Sequence, residues 1–497
     1  MKRPVPILLC LLLISSAPAW AQPTPNGDNF VVNTYNTSDQ WGSRVASNGA
    51  GAFVVVWESY LQDGDGYGLF GQLFDSTGGR VGAEFRVNAS TLGSQWQPDV
   101  GIDGSGAFIV VWKDSAQGVV LGRRFDSAAN PLTDEFEVPE PGTHYKYRPS
   151  VAVAPSGAFV VAWTDDAPIY GGNTDVHGQL FDSSGTRVNG VFQANSGAGS
   201  AKGYADAAMD DAGAFIFAWE SLGQTAPCCT YDIFARRFDS TGAPIGGEFQ
   251  VNTYITGNQR YPQVATDATG DFVVAWVDYE QEAATVGVFG RLYDSLGAPR
   301  GGEFHVNTYT EGDQYLPSVT MDATGNFLVA WTHAFTGQPE IEGQAFSSDG
   351  WPLGGETQLS MDHPYGGVEG AVAMDDAGNF IATWTTLLLD GGRYSEDIVG
   401  QRFDAAPSPS CLPQPGSVDD LTLQTTSGGN RLDFAWSDTV YSDGYVLYED
   451  GVAGGSFGSV AGTATSGSRG IQIGTPSGTT FYLLSGQNSV CGPDPHS

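Results

Sequence analysis

Positive charge is scarce in this chain. Lysine and arginine number 21 of 497 residues against 56 aspartates and glutamates, only four of the 21 are lysine, and the formal net charge is −35. Nucleic acid is held through clustered lysine and arginine, so a nucleic-acid partner gripped by a basic face is excluded. Long apolar runs are missing as well. Ile7–Ile14 is much shorter than the ~20 residues of a spanning helix, and no second apolar stretch follows, so no membrane span is expected. With Lys2 and Arg3 before it and Ala19-Trp20-Ala21 after it, that run reads as a signal peptide over 1–21. Leu9 is too large for a lipid-attachment motif at Cys10. The expected product is exported, secreted or periplasmic or at the cell surface, and its net charge becomes −37 once Lys2 and Arg3 are gone.

Cysteine is sparse too. Cys228, Cys229, Cys411 and Cys491 follow the leader, and four cysteines allow three pairings. Cys411 and Cys491 bracket the C-terminal segment and are expected to join in an oxidising compartment, which leaves Cys228 and Cys229 as a vicinal pair.

What is abundant is glycine, 68 residues, and aromatics, with 12 Trp, 20 Tyr and 27 Phe. That composition excludes a disordered acidic tail and suits short strands joined by tight turns. The chain repeats. The window VATDATGDFVVAW ends at Trp276, and its relatives end at Trp57, Trp112, Trp163, Trp219, Trp331 and Trp384, 51 to 57 residues apart. Glycine stands six places before each of these tryptophans and phenylalanine four places before. Each copy reads as four strands: one entering the window, as in PQVAT (262–266); FVVAW, apolar on both faces; GQLFD (71–75) or its equivalents; and GEFQVN (247–252) or its equivalents. The D-x-x-G turn between the first two uses an Asp acceptor and a glycine with positive φ.

Repeated four-stranded units of about 50 residues predict a β-propeller, with an open solenoid as the alternative. The ends favour the ring. The seventh copy stops at Phe403-Asp404 without a GEFxVN strand, and Asn29–Tyr35 (NFVVNTY) supplies the matching piece at the N-terminus. A ring closed in this way leaves no open sheet edge. The expectation is an all-β chain: a seven-bladed propeller over 22–404 closed by residues near 29–33, a Pro/Ser linker over 405–416, and a small β-sandwich over 417–497. It is expected to be a monomer.

GEFQVNTYITGNQRYPQVATDATGDFVVAW with GRLYDSLGAPRGGEF resembles repeats of secreted bacterial proteins of unassigned function. SVDDLTLQT, LDFAWSD, DGYVLYED and FYLLSGQNSVCG resemble a fibronectin type III-like module. A Cys411–Cys491 bridge would pin the module's ends, worth ~4 kcal/mol in the chain-entropy model.

Residues present in every copy serve packing and turns, so a unique site is sought among pattern breakers on the face that carries the variable connections. Cys228-Cys229 is one. Quinone-dependent alcohol dehydrogenases are propellers with a vicinal disulfide, and Ala265, Asp267, Thr269, Gly270 and Trp276 are similar to their docking motif. The Asp–Gly and Gly–Trp spacings differ, and the count here is seven blades against their eight. A loop staple or free thiols is the plainer reading. Asp63 and Asp65 in QDGDGYG begin a Ca²⁺ loop but do not complete it; solvated acidic surface is the plainer reading. His333 and His363 fall in variable-face loops, where exposed histidines are commonplace. Tyr35, Trp41, Trp96, Tyr147, Tyr261 and Tyr315 sit in blade connections, either to cap seams or to stack on a glycan or protein ligand. No arginine cluster for a carboxylated sugar is visible, no catalytic residue stands out, and no cofactor is expected other than Ca²⁺. The sequence points to a non-catalytic binding or structural protein, with a glycoside hydrolase or lyase using loop carboxylates as the alternative.

Overall fold

The computed structural model describes residues 23–139, 145–166, 174–196, 201–224, 230–282, 285–335, 339–360, 366–390 and 393–405, and the strands 422–425, 431–435, 444–450, 459–465, 470–474 and 481–487. The chain divides into two units, one spanning Gln22–Ala406. Among the described residues there are strands and no helices.

The larger unit is a seven-bladed β-propeller. Its seven sheets are antiparallel, and blade 5 is typical, with strands Gln259–Thr266, Phe272–Asp278, Gly287–Tyr293 and Phe304–His305. The seven first strands touch one another in ring order, the seventh meeting the first, and so line a central channel. The second strands carry the burial. Their seven tryptophans are 0–1% exposed, which is why that segment is apolar on both faces. The core lies between sheets: Phe272, Val274 and Trp276 of blade 5 pack on Ala208, Ile216 and Ala218 of blade 4.

Side chains of the repeat explain its regularity. Asp267 Oδ1 accepts from Thr269 N at 2.8 Å and Asp271 N at 3.0 Å, and Gly270 closes that turn at φ +91°. The third-strand glycine lies under the fourth-strand phenylalanine, so a Cβ on Gly290 would stand 2.7 Å from the Phe304 ring. The asparagine ending GEFxVN staples three strands. Asn307 Oδ1 accepts from Val288 N at 2.8 Å, while its amide donates to Gln314 of the next blade at 3.4 Å.

Blade 7 consists of Val368–Met374, Phe380–Asp390 and Arg393–Asp404, and the last of these also pairs with Thr24–Pro25 and Phe30–Val31. A Cβ on Gly400 would lie 2.9 Å from the Phe30 ring. Asn33 Oδ1 accepts from Ile398 N at 2.8 Å, and its amide donates to Gln40 of blade 1 at 3.1 Å. Phe30 and Asn33 thus make the contacts that Phe304 and Asn307 make in blade 5. Blade 7 packs against blade 1: Val32, Phe53, Trp57, Ile381 and Ile398 share one cluster, and Arg402 donates to the carbonyls of Ser76 and Thr77.

The C-terminal segment holds two three-stranded antiparallel sheets, Thr422–Thr425 with Arg431–Ala435 and Gly470–Gly474, and Ser459–Thr465 with Gly444–Asp450 and Phe481–Gln487. Cys228, Cys229, Cys411 and Cys491 lie outside the described residues.

Candidate functional site at the channel mouth

The first strands start earlier than their sequence suggests. Blade 5 begins at Gln259, before Pro262 rather than at it, and a β-bulge between Arg260 and Gln263 absorbs the proline. An equivalent register shift occurs in all seven blades. Each bulge turns one residue left-handed: Gly42, Gln97, Arg148, Tyr204, Tyr261, Leu316 and Glu369, with φ from +50° to +60°. Six of the seven are not glycine, and an L-residue there costs ~1–2 kcal/mol. The backbone geometry repeats while the side chain varies, with tyrosine in blades 4 and 5 and a different residue in each of the others, which is the mark of a position released from packing duty.

Two places further on, Arg44, Asp99, Ser150, Asp206, Gln263, Ser318 and Ala371 line the channel, which has a volume near 560 Å³. Several of these belt neighbouring blades together. Asp99 Oδ2 accepts from Val151 N at 2.7 Å, Asp206 Oδ2 from Val264 N at 2.8 Å, and Asp206 Oδ1 from Ser150 Oγ at 2.9 Å. Protein surrounds both carboxyls although they touch the lumen. Burial pushes Asp206 up to about 7, the Val264 N–H opposing and the Asp99 charge adding to it. Burial raises Asp99 likewise. Their hydrogen bonds give them a structural task.

Above the channel, blades 3, 4 and 5 frame a hollow of about 650 Å³. The Arg148 guanidinium lies 3.1 Å from the centroid of the Tyr204 ring, and Tyr204 meets Tyr261 edge-on at 4.6 Å. Arg260 stacks on Tyr231 at 4.3 Å and forms a two-pronged ion pair with buried Glu220, 2.7 and 3.1 Å. Glu220 also accepts from Tyr261 N at 3.3 Å. Tyr147 and Tyr145, the latter 59% exposed, complete one wall. The guanidiniums and rings hold one another in place, so the surface is preorganised.

Blades 7 and 1, across the ring, gather carboxyl groups instead. Burial pushes Glu58 up to about 7, against the hydrogen bond from Gln97 N and with the Glu369 charge adding. Burial and the Asp39 charge take Glu396 to about 7, against a hydrogen bond from Trp41. Glu58 Oε1 and Glu369 Oε2 stand 3.6 and 3.9 Å from the point a Cβ on Gly42 would occupy.

Five of the six aromatic candidates lie in first strands rather than in connections, because those strands run past the proline. Trp41, Trp96, Tyr147 and Tyr315 occupy the same position just before the bulge, and Tyr261 occupies the bulge itself. Tyr147 and Tyr261 meet at the hollow, Trp96 stacks on Tyr67 at 4.6 Å, and Trp41 stands among the acids of blades 7 and 1. Tyr35 stays in a connection, where its carbonyl accepts from Asn33. His333 is in a strand, not a loop, and is 7% exposed, with its ring nitrogens on Glu311 O at 2.8 Å and Glu342 Oε1 at 3.2 Å. His363 lies outside the described residues. Asp63 Oδ2 accepts from the Asn88 amide at 2.9 Å, and Asp65 Oδ2 from Gly93 N at 3.1 Å. Among the described residues no group of three or more His, Cys, Asp or Glu is arranged to hold a metal ion.

Sequence reasoning missed Arg148, Tyr204, Arg260, Lys146 and Lys202. A signal was present. Seventeen places before the window tryptophan stand Gln40, Gln95, Gln259 and Gln314, but Lys146 and Lys202 in blades 3 and 4.

No family model matches the chain, and no curated protein matches it. Several solved structures are similar in shape. A protein of unknown function from Dyadobacter fermentans is 8% identical at a TM-score of 0.45, covering 76% of this chain and 98% of its own. A PL25 ulvan lyase bound to a GlcA–Rha3S saccharide is 11% identical at 0.47, covering 76% and 94%. The GH93 α-L-arabinofuranosidase of Fusarium graminearum in complex with arabinobiose is 11% identical at 0.44, covering 62% and 92%. No score here reaches 0.5, and the propeller assignment rests on this chain's own sheets.

Proposed function

We propose that this is an exported, non-catalytic glycan-binding protein: a monomeric ring closed by its own N-terminal segment, holding its ligand at the mouth over blades 3 to 5, with the C-terminal segment as a sandwich-type spacer. The observation that carries this reading is the preorganised stack of Arg148, Tyr204, Tyr261 and Arg260 at positions where the repeat does not dictate the residue. Sugar rings present C–H faces to aromatic rings and hydroxyls to flanking polar groups, and such hollows combine apolar walls with a few fixed polar atoms. Glu220, which faces the hollow, is committed to Arg260 and to Tyr261 N, so it serves positioning rather than proton transfer.

Tyr204→Ala tests this. Affinity electrophoresis through soluble polysaccharides, neutral and acidic, is expected to show retardation of the native protein. Removing the central ring should weaken it by about tenfold or more, while the thermal midpoint falls by only a few degrees as the ring's contacts with Arg148 and Tyr261 are lost. No retardation by any polymer overturns the reading.

A hydrolytic reading draws on one observation. Glu58, pushed up to about 7 by burial, and Glu369 stand beside the same gap at Gly42, and glycosidases pair an acid with a carboxylate. Release of reducing ends that disappears in Glu369→Gln would favour it.

A further inference from the structure

The distribution of cations at the mouth says more than the presence of a hollow. Beyond Lys2 the chain has three lysines, Lys113, Lys146 and Lys202, and they lie in neighbouring blades, 2, 3 and 4. Lys113 Nζ lies 5.9 Å from the centroid of the Tyr147 ring. Lys146 adjoins Tyr147 in the same first strand, and Lys202 lines the hollow. The latter two are only 4% and 2% exposed, so they are not free surface groups. In a molecule of net charge −35, the lining of this hollow carries Arg148, Arg260 and Lys202 against Asp166 and Glu220, a balance far from that of the whole chain.

The two arginines differ in what they have left to offer. Arg260 is neutralised by Glu220 through two hydrogen bonds. The Arg148 guanidinium carbon lies over the Tyr204 ring, and among the described residues the guanidinium forms no ion pair. A guanidinium whose face is stacked still presents its edge, a planar fork of N–H donors matched to a planar carboxylate. Glu220 acts on Arg148 through its charge but commits both oxygens to Arg260, so a neutral sugar would leave the fork of Arg148 without a hydrogen-bonded counter-charge.

We infer that the ligand is an acidic polysaccharide, with one uronate carboxylate clasped by the edge of Arg148 while its sugar ring lies against the tyrosines of blades 3 and 4. This inference rests on the glycan-binding reading above and names the ligand class. The long-range field of the acidic molecule disfavours a polyanion, but at physiological salt it is screened beyond ~8 Å, so the local cations decide.

The test uses full-length protein and three probes: uronate polymers (polygalacturonate and alginate), the same polymers with their carboxyls reduced to hydroxymethyl groups, and dextran sulfate. Calorimetry is expected to show binding of a uronate polymer, falling about 30-fold or more on carboxyl reduction and similarly in Arg148→Ala. Arg148→Lys, which keeps the charge and loses the fork, should fall between, and this second variant separates recognition from misfolding when both proteins melt as the native protein does. Equal binding of native and reduced polymers overturns the inference and leaves the glycan reading standing. Binding of none of the three probes overturns both. Dextran sulfate binding as tightly as the uronates, with the same loss in Arg148→Ala and Arg148→Lys alike, overturns the carboxylate assignment in favour of a general anion site.

Discussion

Deleting residues 23–33 is expected to lower the thermal midpoint by about 6 °C, the equivalent of about 5 kcal/mol for a unit of this size. The loss has identifiable parts. Val32 is fully buried, and burying a Val is worth ~1.5–3 kcal/mol. The Phe30 ring leaves Gly400 uncovered. Asn33 takes with it the acceptor for Ile398 N and the donor to Gln40, and an orphaned buried group costs ~1–3 kcal/mol. The strand Arg393–Asp404 also becomes an open edge, so aggregation should accompany the lower midpoint. Gly400→Leu makes the same point with one residue, since its side chain must displace Phe30. Scanning calorimetry decides it. A midpoint unchanged by the deletion would mean that the N-terminal segment contributes nothing to blade 7.

Stability should also fall as pH rises from 5 to 8. Burial lifts Glu58 from its usual 4.5 to about 7. Across that window the folded protein keeps the proton and the unfolded chain has released it, so the unfolded state is favoured progressively until pH passes 7. For Glu58, which is 8% exposed, the contribution is about 3 kcal/mol. Asp206 and Glu396 act in the same direction, both raised to about 7. The turn aspartates Asp75, Asp126, Asp182 and Asp239 are lowered by their hydrogen bonds; the stability they confer is lost only as pH falls below the ordinary aspartate range, outside this window. Glu58→Gln keeps an acceptor for Gln97 N and removes the charge. Its midpoint should exceed the native one at pH 8 and match it near pH 5. An equal shift at both pH values would show that Glu58 is ionised throughout.

The blades were legible because the Gly, Phe and Trp of the window each do one job seven times, and a repeated job leaves a repeated letter. The site was legible only in part. Trp41, Trp96, Tyr147, Tyr261 and Tyr315 drew notice as aromatics outside the repeated core, but Pro262 and its counterparts looked like strand starts and hid the three residues before them. A left-handed bulge is usually announced by glycine, and only Gly42 announces it here; at the other six positions the surrounding sheet imposes the conformation on residues that would not choose it. Arg148 and Arg260 come together only because neighbouring blades present equivalent positions to one mouth. That is a consequence of the ring, invisible to spacing along the chain.

In blade 7 the outer strand comes from the N-terminus, with Phe30–Val31 paired to Arg393–Asp404. Amide hydrogen exchange tests this without altering the protein. Val32 N donates to Ile398 O at 2.7 Å, as Val87, Val251 and Val306 donate to Leu69, Ile233 and Val288 at 2.8–2.9 Å. The account predicts that Val32 exchanges as slowly as those three. Exchange of Val32 at the rate of a free chain end, with Val87, Val251 and Val306 still protected, would contradict it.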